Sequence, residues 1–167
     1  MYAKQNFSEG FVRGFEVDAA VRLDGGFSVF GVAQKAESWA DWLDASGHEV
    51  RAPLTKTPPA SGTLGLRWEE EPGQKRPGRF WAEFSALIVD KVYRADMNPA
   101  DWTDTSRIPP GGLPGYTLYN ARVGWRLESR GSVTLGIDNI SNKDYRVFGS
   151  GVNGAGTNVI LATQWNF

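Results

Sequence analysis

Bulky apolar side chains recur at every second position through seven separate stretches of this 167-residue chain. A period of two is the signature of a strand with one greasy face. In the last stretch, residues 156–167, Val159, Leu161, Thr163, Trp165 and Phe167 occupy one side. Asn158, Ala162, Gln164 and Asn166 occupy the other, with Ile160 the exception. The longest uninterrupted aliphatic runs, Ala86-Leu87-Ile88-Val89 and Val159-Ile160-Leu161-Ala162, are far short of the roughly 20 apolar residues a membrane-spanning helix needs. A barrel strand needs only about 9–11 residues, half of them apolar.

The other stretches are residues 11–23, 27–35, 60–69, 79–92, 116–128 and 132–140. Their connections alternate in length. Residues 24–26, 70–78 and 129–131 are short turns; residues 38–59, 93–115 and 141–155 are long. Within the first long connection Ala36, Trp39, Ala40 and Leu43 fall at helical spacing, so a short helix is expected there. Short turns at one end and long loops at the other are the pattern of a transmembrane β-barrel, whereas Greek-key crossovers do not sort loops by length. The expected fold is therefore all-β: an antiparallel transmembrane barrel segment of about seven strands, left open. Eight strands are the fewest of known barrels. The alternation alone also fits a soluble β-sandwich or barrel that binds a sugar or small hydrophobe, because either solvent leaves one face apolar.

Composition narrows the function. A formal charge of −1 with 22% charged residues gives no electrostatic footprint for nucleic acid. The absence of cysteine removes disulfides, thiolate metal sites and cysteine nucleophiles. Twenty glycines, nine prolines and twenty-one aromatics suit many strands and turns. Residues 1–6 lack the basic and apolar regions of a secretion signal. An outer-membrane barrel protein needs one, so on the barrel reading the chain is expected to be a piece of a longer protein.

No constellation reads as catalytic, metal-binding or cofactor-binding. His48, the sole histidine, has Asp44 and Ser46 nearby but no positioning partner. Gly149-Ser150-Gly151-Val152-Asn153-Gly154 matches a dinucleotide fingerprint in letters only, since a strand and not a helix follows. Asp96, Asp101 and Asp104 are hard oxygen donors without the spacing of a calcium loop. Trp68, Trp81, Tyr119, Trp125, Trp165 and Phe167 read as interfacial aromatics on the apolar side. Arg67, Arg122 and Arg126 are expected to pair with Glu69, Glu83 or Glu128 on the polar side. Ligand contacts are expected in the long loops, at Trp39, Trp42, His48, Trp102, Arg107, Arg146 and Asn153.

The terminal strand resembles the last strand of outer-membrane β-barrels, with Trp165 and Phe167 as the signal read by the barrel-assembly machinery. Three further stretches resemble the C-terminal part of a TonB-dependent outer-membrane receptor: Ile108-Pro109-Pro110-Gly111-Gly112-Leu113-Pro114-Gly115-Tyr116, Asn120-Ala121-Arg122-Val123-Gly124, and Asp138-Asn139-Ile140-Ser141-Asn142-Lys143-Asp144-Tyr145-Arg146. Arg13-Gly14-Phe15-Glu16 and Pro58-Pro59 fit the same pattern. The resemblance implies residues 1–167 as the C-terminal portion of a bacterial outer-membrane barrel of about 22 strands filled by a plug. It implies uptake of a scarce ligand such as a ferric siderophore, haem, cobalamin or an oligosaccharide, and no enzyme activity. The implied partners are outer-membrane lipid, the remaining barrel strands and plug, and TonB acting through the plug. Without those parts the chain is not expected to transport.

Overall fold

The computed structural model describes residues 9–44, 46–71, 78–127 and 130–166. Ten strands are described: β1 (Gly10–Arg22), β2 (Phe27–Leu43), β3 (Glu49–Ala52), β4 (Ser61–Glu69), β5 (Arg79–Val89), β6 (Val92–Tyr93), β7 (Gly112–Leu113), β8 (Tyr116–Leu127), β9 (Gly131–Asp138) and β10 (Asn158–Trp165). Seven of them form one antiparallel meander in the order β1-β2-β4-β5-β8-β9-β10. β3 adds to β2, and β6 pairs with β7 as a small separate ribbon. The sheet does not close: β1 and β10 are its two ends. The all-β, antiparallel, open wall of seven strands is the expected one.

Register carries the period-two pattern across the whole wall. One row of directly paired residues reads Val21, Val29, Leu66, Phe84, Ala121, Ile137, Val159, one from each wall strand. The next row, on the opposite face, reads Arg22, Ser28, Arg67, Glu83, Arg122, Gly136, Ile160. A slip of one residue in β1, β4, β5, β8 or β9 would put a charge among the apolar side chains, so the pattern itself pins the register there.

The apolar face is uncovered. Leu161 is 69% exposed, Phe15 60% and Leu64 59%, with Val17, Phe84, Val123 and Leu135 behaving alike. Phe80 stacks on Trp125 at 5.6 Å, and Trp68 and Trp165 lie at the same, short-turn end of that face. Tyr119 stacks on Phe84 at 6.0 Å farther along the face. Trp81 departs from the expected aromatic band. It pairs with Glu69 and Gly124 on the polar face, and its indole lies over Gly124, where no side chain could fit beneath it. The guanidinium of Arg67 sits 4.2 Å above the Trp81 ring. Phe30 lies flat over Gly65 in the same way. Phe167 lies outside the described residues.

The polar face neutralises itself along the wall. Arg67 meets Glu83 at 3.3 Å and Glu69 at 3.5 Å. Arg126 reaches over β5 to Glu69 at 3.0 Å, and Arg79 joins the same carboxylate at 3.8 Å. Arg122 pairs with Asp138 at 3.4 Å, a partner the expected set did not include. These links run between strands on one wall. Glu128 lies outside the described residues.

The helix expected around Ala36–Leu43 does not form. β2 continues as strand to Leu43, because each residue of this stretch has a paired neighbour on one edge or the other. Gly10 to Gly14 of β1 pair with Ala40 to Ala36 on one side, and β3 pairs with Ala40 to Leu43 on the other. Hydrogen-bond partners on two edges outweigh a local spacing that fits a helix. Trp39 and Trp42 thus belong to a strand that stands beyond the top of β4, and not to a loop.

Candidate functional site

The tightest packing lies at the long-loop end. Of the buried apolar residues, Ala52, Met97, Ile108 and Leu113 are in the connections or their short strands, and Ala40 and Leu118 are near the strand tops. Three segments, residues 46–60, 90–115 and 139–157, are tied into one layer by specific bonds.

The first tie uses a helix cap. Asn98-Pro99 is a start signal: Asn supplies a side-chain acceptor and Pro tolerates the first helical position. Pro99–Thr103 forms a 3-10 helix, with Asn98 Oδ1 accepting from the Ala100 N–H at 2.8 Å. The other side of the Asn98 amide donates to the Pro53 carbonyl of the first segment. Asp101, 4% exposed, accepts the Lys56 backbone N–H at 3.0 Å. Lys56 has φ 58°, a left-handed turn that aims this N–H at the carboxylate. Ser38 of β2 accepts from the Leu54 N–H at 3.1 Å and completes the joint.

Arg146 makes the second tie. Its guanidinium donates to the Ser106 carbonyl at 3.1 Å and to Asn153 Oδ1 at 2.9 Å. Asn153 in turn donates to Asp144 at 2.9 Å. Arg107 pairs with Asp104 at 3.0 Å beside the same junction, and Ser106 donates to Asp104 at 3.0 Å.

Asn139 secures the base of the last segment. It is 2% exposed with φ 50°, a left-handed conformation that asparagine tolerates better than most residues. Its amide donates to the Lys143 and Ala155 carbonyls at 2.8 and 3.0 Å and accepts the Lys143 N–H at 2.8 Å. Its own N–H reaches Asn120 on β8 at 3.0 Å. Tyr145 packs on Tyr116 at 4.8 Å and covers Gly154, which has no room for a side chain.

The expected contact residues separate into groups. Arg107, Arg146 and Asn153 come together at the junction of the second and third segments. Trp102 lies apart: its indole donates to the Arg94 carbonyl at 2.9 Å, with the Arg94 guanidinium 5.0 Å from the ring. Trp39 packs edge-on against Phe11 at 5.0 Å and lies 3.5 Å beneath the Arg51 guanidinium, which Asp41 holds at 3.0 Å. Trp42 projects from the other face of β2, paired with Val50. His48 is at the hairpin tip, 80% exposed, with Nδ1 3.7 Å from Asp44. Asp101 and Asp104 serve as acceptors within the layer, and Asp96 is exposed. Among the described residues no three His, Cys, Asp or Glu side chains converge as metal ligands. Gly149 to Gly154 forms a loop with Gly149 at φ 81°, and a strand follows.

Sequence reasoning passed over Asn98, Asp101 and Asn139 as structural ties. The Asn-Pro dipeptide was a legible cap signal; the other two depend on segments distant in sequence.

The Asp104 carboxyl is held below its ordinary range. Burial pushes it up, but the Ser106 hydroxyl and the Arg107 guanidinium together outweigh that effect. A depressed folded-state pKa means the contact stabilises above the ordinary carboxylate value and is lost as pH falls through the lower, folded one. Hydrogen exchange of residues 101–108 is therefore expected to stay slow at neutral pH and to accelerate only in acid. In Asp104→Asn it should be fast throughout. Equal acid sensitivity in that variant would contradict the assignment.

A family model described as TonB dependent receptor-like, beta-barrel matches residues 2–140. No curated protein and no solved structure matches the chain.

Proposed function

The chain belongs to the TonB-dependent receptor β-barrel family, and from that premise we infer that it forms part of the barrel wall and outer loop layer of a ligand-uptake receptor. The family is an outer-membrane transporter family of bacteria. One observation carries the reading for this chain. An unbroken apolar row crosses seven strands with nothing packed on it among the described residues, while every described ion pair of the wall's polar rows lies on the opposite face. In water the apolar row would be a large exposed patch. Against hydrocarbon it is the stable arrangement, and the charged face lines the interior. A soluble sandwich would need a second sheet over that row.

On this reading residues 1–167 are the C-terminal portion of the barrel. The edges of β1 and β10 meet the remaining wall strands, since unpaired backbone groups in lipid cost several kcal/mol each. An open seven-strand wall encloses no channel, so transport belongs to the assembled receptor. The plug fills the interior, TonB acts through the plug, and the barrel-assembly machinery reads the end strand with Trp165 and Phe167. The loop layer faces outward and meets the scarce ligand, whether ferric siderophore, haem, cobalamin or oligosaccharide. Trp102, Arg107, Arg146 and Asn153 are the residues of that layer best placed for it.

Fractionation and uptake test this together. The receptor should partition with the outer membrane and require detergent. In a panel of those four ligand classes, one should show uptake that depends on TonB. Arg146→Ala should lower that uptake several-fold while leaving outer-membrane abundance unchanged. Recovery in the soluble cytoplasm would sink the proposal.

A further inference from the structure

The charges on the apolar face are confined to one end. Among the described strand residues of that face, Arg13, Lys35, Glu37 and, beyond them, the Asp41–Arg51 pair and Glu49 are charged. All lie on β1, β2 or β3 at the long-loop end. The row Val17, Ala33, Gly62, Ile88, Thr117 marks the top of the apolar wall. Lys35 stands two residues above Ala33, about 7 Å farther along the strand, just where β2 parts from β4 at the Gln34–Ser61 pair.

Arg13, Gly14, Phe15, Lys35 and Glu37 line a cleft of about 250 Å³ at this level. Glu37 pairs with Arg13, whose guanidinium also lies 4.9 Å from the Phe11 ring. Lys35 is directly opposite Phe15, and no ion pair to it occurs among the described residues. A second cleft, of about 430 Å³, continues from Lys35 to Lys91 and Tyr93, with Asp90 and Asp96 on its far wall. Phe15 is level with Lys35, and Val17 and Leu64 lie below it, all three more than half exposed.

The geometry points to a binding site for the phosphate of an anionic membrane lipid, held by Lys35 and Arg13 with its acyl chains along Phe15 and Val17. Two cations against one carboxylate leave the cleft net positive. Their position one step above a continuous apolar surface selects a headgroup over free phosphate, because only a lipid can use both halves of the site. Lysine and arginine side chains beside a lipid surface attract anionic headgroups. The inference rests on the outer-membrane reading above.

The test is native mass spectrometry of the detergent-extracted receptor titrated with phosphatidic acid, phosphatidylcholine or inorganic phosphate. Wild type should retain one phosphatidic acid in preference to phosphatidylcholine. Each cation near a charged lipid surface contributes enough that the double variant Arg13→Gln, Lys35→Gln should bind about 30-fold more weakly. Lys35→Arg should retain binding. Arg22→Gln, a cation lost from the opposite face of β1, should have no effect. Unchanged affinity in the double variant, or displacement by millimolar inorganic phosphate, would overturn the site. Failure of the underlying membrane reading looks different: the protein would stay monodisperse in buffer without detergent, whichever lipid is offered.

Discussion

Leu135→Arg is expected to destabilise the folded wall by about 2–4 kcal/mol, the usual cost of a cation at the middle of a lipid-facing strand. Leu135 lies midway along β9, between Val123 and Leu161 in register, and is 43% exposed. In water an exposed leucine replaced by arginine changes little. In lipid the guanidinium has no partner within reach. The neighbouring substitution Thr134→Arg provides the contrast, because Thr134 sits on the polar face between Gly124 and Ala162. That face already carries five wall arginines, Arg22, Arg67, Arg79, Arg122 and Arg126. Folding into detergent micelles, followed by the shift of the unheated band on a denaturing gel, measures both. The expected result is a large loss for Leu135→Arg and a small one for Thr134→Arg. The reverse order would mean that the faces are assigned the wrong way round.

Asn139→Ala is the second large effect. It removes two donors and one acceptor from a residue that is 2% exposed, leaving the Lys143 and Ala155 carbonyls and the Lys143 N–H without that partner. A buried polar group left unsatisfied costs about 1–3 kcal/mol, and alanine is also a poorer fit than asparagine to φ 50°. A local loss of about 3 kcal/mol is expected, concentrated in residues 139–157 because the Asn139 side chain bonds to Lys143 and Ala155 of that segment. Hydrogen exchange should accelerate chiefly in that segment. Asn139→Asp keeps the acceptor for the Lys143 N–H but not the two donors, so it should fall between. If exchange in β8 and β9 rose as much as in the loop, Asn139 would be supporting the wall itself.

Much of the architecture was legible before any coordinates. The alternation in residues 116–128 and 132–140 located β8 and β9 within two residues, since period two is a local property. Arg67 and Arg126 could be matched to Glu69 and Glu83 because charge on one face of a sheet is sorted by the same period. Trp81 was misplaced for a related reason. Proximity to a strand end suggested the interface, but its odd position in β5 puts it over Gly124.

The long connections were less legible. Nothing adjacent in sequence links Lys56 to Asp101, Asn98 to Pro53 or Arg146 to Ser106. These bonds join residues 40 or more apart, and they exist because the wall sets the β2–β4, β5–β8 and β9–β10 connections next to one another at one end.

What the amino-acid order determined by itself is the wall: strand count, the two faces, and the sorting of short and long connections, because alternation and turn residues act within a few positions. Only the tertiary structure decided that Trp39 and Trp42 belong to an extended strand, that the loops form one bonded layer, and that Lys35 and Arg13 line one cleft above the apolar rows. Each of those depends on backbone edges or side chains from distant segments, and a hydrogen bond between such segments leaves no periodic trace in either one.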